Sequence, residues 1–341
     1  MNPTPTARIS DAGKSSWQQA VAKYQRSDRR RSVWQVVNTL VPYFVLWYVM
    51  LRSLEVSYWL TLALSIIAAG FLMRAFIIFH DCGHGSFFKS RRANDAVGIF
   101  TGILNFTPYY LWRHDHAVHH ATSGDLDERG VGDVWMMTVQ EYLDSPLWKR
   151  TAYRLFRYPP VMVGLGPFFV FVILQRFARG AAGKRERHSV YWTNLALLGI
   201  LALMGLTIGF KAFVLVQLPI IIIAGAAGVW MFYVQHQFEG VYWQRHDDWD
   251  YASAALKGSS FYRLPRVLQW FTGNIGFHHI HHLSPRIPNY YLESCYRENP
   301  MFQEVKPVTL LSSLKSLRLR LWDEEGHRLV GFGYLKTVAA E

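Results

Sequence analysis

Residues 57–84, SYWLTLALSIIAAGFLMRAFIIFHDCGH, join a long apolar run to a pair of histidines, and this stretch decides the fold. Residues 57–79 are long enough to cross the hydrocarbon of a bilayer, which takes about 20 apolar residues. His80 and His84 follow at spacing i, i+4, so a helix that continues past the membrane presents both rings on one face. The stretch therefore predicts a membrane-spanning helix that carries metal ligands at its end.

Two further histidine clusters share the spacing H-x-x-H-H. They are His116-Ala117-Val118-His119-His120 and His278-His279-Ile280-His281-His282. Neutral imidazole binds Zn, Cu, Fe or Ni, so the spacing alone leaves the metal open. One such motif in a chain with 14 histidines is weak evidence, but three clusters beside apolar segments favour a centre with more than one metal ion. A metal-free role is the weaker interpretation, because so many buried rings would each need a hydrogen-bond partner.

The composition is that of a membrane protein, with 51% hydrophobic and 16% aromatic residues that are grouped in blocks. The net charge of +12 comes largely from basic residues beside the apolar blocks. This placement favours anchoring at an anionic lipid surface over binding of nucleic acid. The two cysteines, Cys82 and Cys295, suit a reducing compartment.

Four candidate spans are separated by short connections that pair them into two helical hairpins. They occupy residues 33–51, 57–79, 190–210 and 212–234. Two weaker apolar stretches, 94–112 and 159–177, contain Asn or Pro, and we expect interfacial or re-entrant segments there. A short interfacial helix is expected within residues 15–25.

The positive-inside rule places basic segments 26–32 and 178–188 on the same, cytoplasmic side. A fifth crossing at 159–177 would put them on opposite sides and would separate the third histidine cluster from the other two. We therefore expect four crossings, with all three clusters and both termini on the cytoplasmic face. The polar N-terminus has no apolar core typical of a cleaved signal peptide.

These observations predict an all-α membrane protein with four transmembrane helices in two hairpins, interfacial helices and a cytoplasmic cap that bears a histidine-rich di-metal site. The expected organisation is a cytoplasmic or interfacial segment at 1–32, a transmembrane core at 33–283 and a cytoplasmic segment at 284–341. In the last segment, Asp323-Glu324-Glu325-Gly326 predicts a turn between short strands.

His236 ends the fourth span and is a candidate ninth ligand, whereas His114 and His279 fall outside the motif spacing and are expected to be peripheral. Ligating histidines usually donate their second ring N–H to a carboxylate or carbonyl. The nearby acidic residues that could accept it are Asp81, Asp115, Asp125, Asp127, Asp133 and Glu239. The acidic run 124–128 is the most suggestive of these.

Taken together, the motifs resemble the membrane-bound fatty acid desaturase family, of the acyl-lipid type that includes delta-12 (omega-6) enzymes. The resemblance covers roughly residues 30 to 300. It is carried by His80-Asp81-Cys82-Gly83-His84 with Phe87-Phe88, by Trp112-Arg113 before the second cluster, by Gln235-His236, and by the third cluster with Leu283.

The resemblance implies a di-iron centre that uses O₂ to introduce a cis double bond into a membrane-lipid acyl chain. The implied ligands are His80, His84, His116, His119, His120, His236, His278, His281 and His282. Asn274 is a candidate water-mediated ligand. We expect a multi-pass protein of a bacterial inner membrane.

Electrons must come from a separate carrier, either ferredoxin-like or a haem carrier with its reductase. The sequence has no His-Pro-Gly-Gly haem signature and no Gly-rich dinucleotide motif after a strand, and two cysteines cannot hold an iron–sulfur cluster. Aromatic residues near the clusters are candidates for an acyl tunnel, although ordinary core packing explains each equally well. They are Phe87, Phe88, Trp112, Trp230 and Phe277.

Two alternatives remain at this stage. A related di-iron membrane enzyme, such as a carotenoid ketolase or hydroxylase or an alkane hydroxylase, uses similar clusters, but Gly83, Trp112-Arg113 and His236 favour the desaturase. A metal transporter would place histidines inside the spans rather than at their ends. The pattern leaves open the double-bond position, the acyl carrier (glycerolipid, coenzyme A or carrier protein), the identity of the electron donor and the oligomeric state.

Overall fold

The computed structural model describes residues 16–178 and 182–338. Expectations for residues 1–15, 179–181 and 339–341, which include both extreme termini and part of basic segment 178–188, lie outside the described residues. The helices run in this order: α1 (Ser16–Ala22), α2 (Arg29–Ser53), α3 (Tyr58–His84), α4 (Arg91–Leu104), α5 (Tyr109–Thr122), α6 (Val139–Asp144), α7 (Leu147–Phe156), α8 (Gly166–Phe168), α9 (Lys184–Thr207), α10 (Phe210–His236), α11 (Tyr251–Gly258), α12 (Arg266–Phe271), α13 (His278–Leu283), α14 (Asn289–Glu298), α15 (Leu310–Ser313) and α16 (Leu335–Val338).

The strands are short and lie outside the long helices. They are β1 (Met137–Thr138), β2 (Phe261–Arg263), β3 (Pro307–Thr309), β4 (Leu321–Asp323) and β5 (Arg328–Val330). Strands β4 and β5 pair antiparallel, with the expected turn between them, and β1 pairs parallel to β4. Strands β2 and β3 form a separate parallel pair. The helical prediction therefore holds for the spans, and the C-terminal segment adds a small sheet that packs on residues 137–138.

Four helices, α2, α3, α9 and α10, are long and apolar enough to cross a membrane. They confirm the four predicted spans, and each extends a few residues further than the apolar run. Helix α3 continues to His84 and helix α10 to His236, so polar site residues stand on the last turns of apolar helices. A rigid helix thus fixes where these side chains point.

Local chemistry sets the ends of these helices. Asp28 caps the start of α2, where its carboxylate accepts hydrogen bonds from the backbone N–H groups of Arg30 (2.9 Å) and Arg31 (3.1 Å). Helix α3 ends at Gly85, whose φ of 70° is in the left-handed region that glycine adopts without steric cost.

Helix α3 lies at the centre of the fold, with α2, α4, α5, α10 and α12 packed around it. Its C-terminal half is fully buried at the apolar residues Ile78, Phe79 and Cys82. Helix α4 can approach α3 closely because residue 102 is a glycine: a Cβ at Gly102 would lie 2.9 Å from the Phe79 ring. The end of α3 is therefore held from several sides.

The two weaker apolar stretches are broken rather than continuous. Residues 94–112 divide into α4 and α5 around a turn at residues 105–108. After α7 the chain bends by 65° into a segment of π-helix, α8 and 3₁₀-helix that covers Pro160–Arg176. A bend of this size fits a broken span or a re-entrant segment, so the expectation that this stretch does not cross stays a prediction.

Candidate metal centre

The nine histidines predicted as ligands gather in two adjacent groups. Within each group, one ring nitrogen of every histidine lies within 4.8 Å of those of the others. The first, the five-histidine group, consists of His80, His84, His116, His120 and His281. The second, the four-histidine group, consists of His119, His236, His278 and His282. Four helices supply them: the ends of α3 and α10, and the short helices α5 and α13.

Helical geometry explains how one motif supplies both groups. In each H-x-x-H-H motif the residues at i and i+4 belong to one group and the residue at i+3 to the other. At about 3.6 residues per turn, positions i+3 and i+4 point about 100° apart around the axis. Helices α5 and α13 therefore stand between the groups, and His119 and His120 point to different sides of α5.

The ring nitrogens converge more closely than neutral imidazoles alone can satisfy. Two Nε2 atoms lie at the centre of these contacts. His120 Nε2 is 3.1 Å from the Nε2 atoms of both His116 and His281, and His236 Nε2 is 3.2 Å from that of His119 and 3.0 Å from that of His278. A neutral imidazole nitrogen is either a donor or an acceptor, so one proton cannot serve two such contacts.

Two further ring nitrogens, His84 Nε2 and His282 Nε2, are buried without a hydrogen-bond partner in the part of the chain that the structure describes. Metal ions at the two convergence points would take these lone pairs. An all-imidazole donor set fits Fe, Zn, Cu or Ni.

Burial keeps the rings in the neutral form that metals bind. It lowers the pKa of five histidines outside the spans well below the usual 6.5, and neighbouring histidines lower each pKa further. These are His116, His120, His278, His281 and His282.

A carboxylate orients one histidine of each group. His80 Nδ1 lies 3.0 Å from Asp81 Oδ1, and His119 Nδ1 lies 2.6 Å from Asp133 Oδ1. Asp81 is itself fixed by Asn289, whose backbone N–H and side-chain amide donate to Oδ2 at 2.7 and 2.8 Å. Such partners set the ring tautomer and raise the basicity of the nitrogen that faces the metal.

The acidic run 124–128 has other partners. His246 Nδ1 lies 2.7 Å from Asp125 Oδ2, and Arg245 donates to Asp127 Oδ1 at 2.6 Å. These two carboxylates therefore bind a neighbouring loop rather than the nine histidines. Asp115 adjoins His116 on α5, and its supporting role stays a prediction. Glu239 is exposed and lies 3.7 Å from Lys315.

Comparison with known proteins decides the family, because residues 57–308 match the family model described as fatty acid desaturase. The chain belongs to the fatty acid desaturase family. It is 50% identical over 318 residues to a fatty acid desaturase of Bacillus subtilis (strain 168). This match spans 93% of the chain and 90% of that protein. The family predicted from the histidine motifs is thereby confirmed.

More distant relatives of this desaturase carry more specific names. It is 30% identical over 291 residues to an sn-1 oleoyl-lipid 12-desaturase of Synechocystis, a match that spans 78% of this chain and 77% of that protein. It is 27% identical over 231 residues to an sn-1 acyl-lipid omega-3 desaturase (ferredoxin) of the same organism, which covers 64% of this chain and 61% of that protein.

Aromatic rings line both histidine groups of the desaturase. Trp112 stacks on His116 with ring centroids 4.3 Å apart, and it fits against α3 because Gly83 has no side chain: a Cβ there would lie 3.0 Å from the indole. Phe232, which the sequence analysis missed, lies 5.2 Å from the rings of both His119 and His236. Its one sequence signal is its position a helical turn before His236.

The other tunnel candidates are not all placed alike. Phe87 and Phe277 are buried, whereas Phe88 and Trp230 are partly buried. Their role in a tunnel stays a prediction.

Three polar residues named from the sequence lie outside the two histidine groups. His114 is exposed. His279 is buried, which lowers its pKa to about 4, and its Nε2 lies 3.2 Å from the carbonyl oxygen of Phe302. Asn274 accepts a hydrogen bond from Gln269 (2.9 Å) and donates to the carbonyl of Asn289 (3.2 Å), so its amide is engaged in the loop before α13.

Arg157 is a buried residue that the sequence analysis did not single out. Its guanidinium donates to the Tyr233 hydroxyl (3.2 Å), to Gln237 Oε1 (3.1 Å) and to the Leu319 carbonyl (2.9 Å). Because Gln237 directly follows His236, this arginine connects the end of α10 to the C-terminal segment. A cation flanked by two aromatic residues was the only signal in the sequence.

Proposed function

We propose that this desaturase introduces a cis double bond into an acyl chain of a membrane lipid, using two irons held by the nine histidines. The observation that carries the proposal is the division of these histidines into two converging groups, each with one ring supported by a carboxylate. Two neighbouring sites of neutral nitrogen donors suit a pair of irons. Membership in the family supplies the reaction class.

Removal of hydrogen from two unactivated methylene carbons is chemistry that a bound iron pair supplies with O₂ and that no side chain can perform. The balance is one acyl –CH₂–CH₂– group, one O₂, two electrons and two protons, which give one –CH=CH– group and two waters. The two electrons come from an external carrier.

The residues of the chain bind, orient and shield. The nine imidazoles offer neutral nitrogens, and Asp81 and Asp133 fix the ring orientation of one ligand in each group. Trp112 and Phe232 cover the rings and exclude water from the side that faces the spans. The acyl chain would approach from the bilayer along the apolar faces of α3 and α10.

We also propose that the metal centre lies at the cytoplasmic face of a bacterial inner membrane. Helix α2 begins with Arg29, Arg30 and Arg31, and α9 begins with Lys184 and Arg185. Each basic start is paired through a short connection with a helix that ends in the metal centre. The positive-inside rule then favours two hairpins whose histidine end is cytoplasmic.

The relatives guide the finer assignment. The 30% identical protein is named for 12-desaturation of oleoyl lipid, and another relative is named for ferredoxin. We accordingly propose delta-12 (omega-6-like) desaturation of an acyl-lipid, with electrons from a ferredoxin-like or haem carrier and its reductase.

The test is expression in a host that contains oleoyl lipids, followed by mass spectrometry of double-bond positions. We expect a new double bond at carbon 12 of C18 chains and two irons per chain in the active preparation. Unchanged acyl chains together with oxidised carotenoid or alkane would instead identify a related oxygenase. A fully active preparation with fewer than two irons per chain would contradict the di-iron proposal.

A further inference from the structure

A cavity of about 570 Å³ lies where the loop before β1 meets α6 and the start of α7. Part of its wall is the loop of residues 129–137, and the rest comes from α6 and the first turn of α7. None of the roles assigned above uses this space.

The cavity contains unpaired positive charge next to negative charge. Arg129 forms an ion pair with Glu141, but its Nη1 is buried and has no hydrogen-bond partner within residues 16–178 and 182–338. The Lys149 ammonium, also in the lining, makes no ion pair or hydrogen bond with those same residues. Asp144, which also lines the cavity, is exposed and, among the residues that the structure describes, accepts only from the Gln140 amide (3.0 and 3.1 Å).

The first turn of α7 presents exposed apolar side chains beside the cavity. Its first turn exposes Leu147 (79%) and Trp148 (72%), directly between the cavity residues Pro146 and Lys149. Large exposed apolar side chains next to cations are typical of helices that lie in the interface of a membrane. After α7 the chain enters the apolar segment 160–176.

The cavity is also close to the metal centre. The loop that lines it carries Asp133, which holds His119. Met136, another lining residue, contacts the side-chain amide of Gln237, next to His236. A lipid whose polar end occupied the cavity would therefore contact the loop that supports the four-histidine group.

We propose that this cavity binds the zwitterionic phosphate–amine headgroup of the glycerophospholipid that is desaturated. The phosphate would contact the Lys149 ammonium, beside the Arg129–Glu141 ion pair, and the ammonium would contact Asp144. A purely anionic headgroup would pair equally with the two cations but would face Asp144 and Glu141 without compensation. The proposal rests on the proposed function for the statement that the bound lipid is the substrate.

The binding test uses the full-length protein in detergent, titrated with dihexanoylphosphatidylethanolamine, dihexanoylphosphatidylglycerol and inorganic phosphate. We expect the phosphatidylethanolamine to bind most tightly, and Lys149→Glu to weaken its binding at least about 10-fold, because an attraction of one unit charge becomes a repulsion. Lys149→Met and Arg129→Gln should weaken it less. Lys211→Glu, an exposed lysine at the opposite end of α10 from His236, is the matched control and should bind normally.

Equal binding by wild type and Lys149→Glu, or tighter binding of phosphatidylglycerol than of phosphatidylethanolamine, would overturn the proposal. Inorganic phosphate that binds as tightly as the lipid would identify a free-phosphate site instead, and this outcome also overturns it.

The same variants distinguish this proposal from the proposed function when they are expressed in cells that contain both lipids. In wild type and Lys211→Glu, new double bonds should accumulate in phosphatidylethanolamine ahead of phosphatidylglycerol, and Lys149→Glu should lose this preference with its iron content unchanged. A wild type that makes no double bonds would contradict the proposed function, whereas the titration decides the headgroup site independently. Desaturation that ignores the headgroup in every variant would contradict the headgroup site alone.

Discussion

The two histidine groups are built differently, although they share two helices. The five-histidine group takes two ligands from α3, the most enclosed span, and its supporting residue Asp81 lies on the same helix and is fixed by Asn289. The four-histidine group takes one ligand from the last residue of α10, and its supporting residue Asp133 lies in a loop. One group thus has its supporting carboxylate on a continuous helix, whereas the other has it on a loop.

The surroundings of the two groups differ as well. All four histidines of the second group are buried, whereas the first group includes the partly buried His84. The C-terminal segment is tied to the neighbours of the second group, because β4 pairs with β1 just beyond Asp133 and Leu319 accepts from Arg157, which also donates to Gln237. This comparison suggests that the four-histidine group depends more on the parts of the fold outside the spans.

The largest effects are expected from removal of one ligand in each group. His281→Ala in the five-histidine group and His119→Ala in the four-histidine group should each abolish double-bond formation, because both metals are required. Iron analysis should show about one iron lost per chain in each variant. His114→Ala, on the same helix as His119 but exposed, is the control and should remain active. If desaturation survives in either variant, the histidine replaced in that variant is not a required metal ligand.

Exchange of the supporting carboxylates is expected to have a smaller effect. Asp133→Asn and Asp81→Asn should each weaken iron binding by roughly 10- to 100-fold, because the histidine loses the partner that fixes its tautomer. A chelator titration followed by iron analysis measures this change. If the groups are independent, each variant releases one iron early and retains the other. Simultaneous loss of both irons would mean that the two groups form one cooperative unit.

Arg157→Met tests the link between α10 and the C-terminal segment. Loss of the arginine leaves the buried Gln237 Oε1 without its donor, whereas the Leu319 carbonyl still accepts from the Tyr233 hydroxyl (3.0 Å), and the unpaired acceptor should cost roughly 1 to 3 kcal/mol of unfolding free energy. We expect iron to leave the four-histidine group before the five-histidine group in this variant. Arg187→Met removes an exposed arginine and serves as the control. A thermal unfolding curve measures the stability. Loss of iron from the five-histidine group before the four-histidine group would contradict the comparison of the two groups.

The smallest expected effect is a pH dependence at the loop that adjoins the four-histidine group. The buried Asp125 carboxylate raises the pKa of His246 above the usual 6.5 through their hydrogen bond. The stabilisation is therefore complete below about pH 6.5 and is lost as the pH rises through the raised pKa. His246→Gln should reduce the dependence of the thermal unfolding midpoint on pH between pH 6 and about pH 8. An unchanged pH profile would show that this contact contributes nothing measurable, since His246 is exposed.

The sequence located the candidate spans and the histidines that gather in space, but not the carboxylates beside them. The apolar runs identified α2, α3, α9 and α10 to within a few residues, and His236, at the end of a span, lies in the four-histidine group as expected. Its role as a ligand stays a prediction. The acidic run 124–128 looked more suggestive than Asp133, yet Asp125 and Asp127 contact the loop at 245–246. Proximity along the chain does not decide which carboxylate reaches a ring, because the path of the loop after α5 decides it.

The sequence by itself determined the set of nine histidines and the apolar helices, since both follow from local spacing. Their division into groups of five and four was decided by tertiary structure. Residues i+3 and i+4 diverge around a helix axis, and only the packing of α5 and α13 against the ends of α3 and α10 tells which neighbour each ring meets. The same holds for Asn289 and Arg157, whose partners lie far away along the chain.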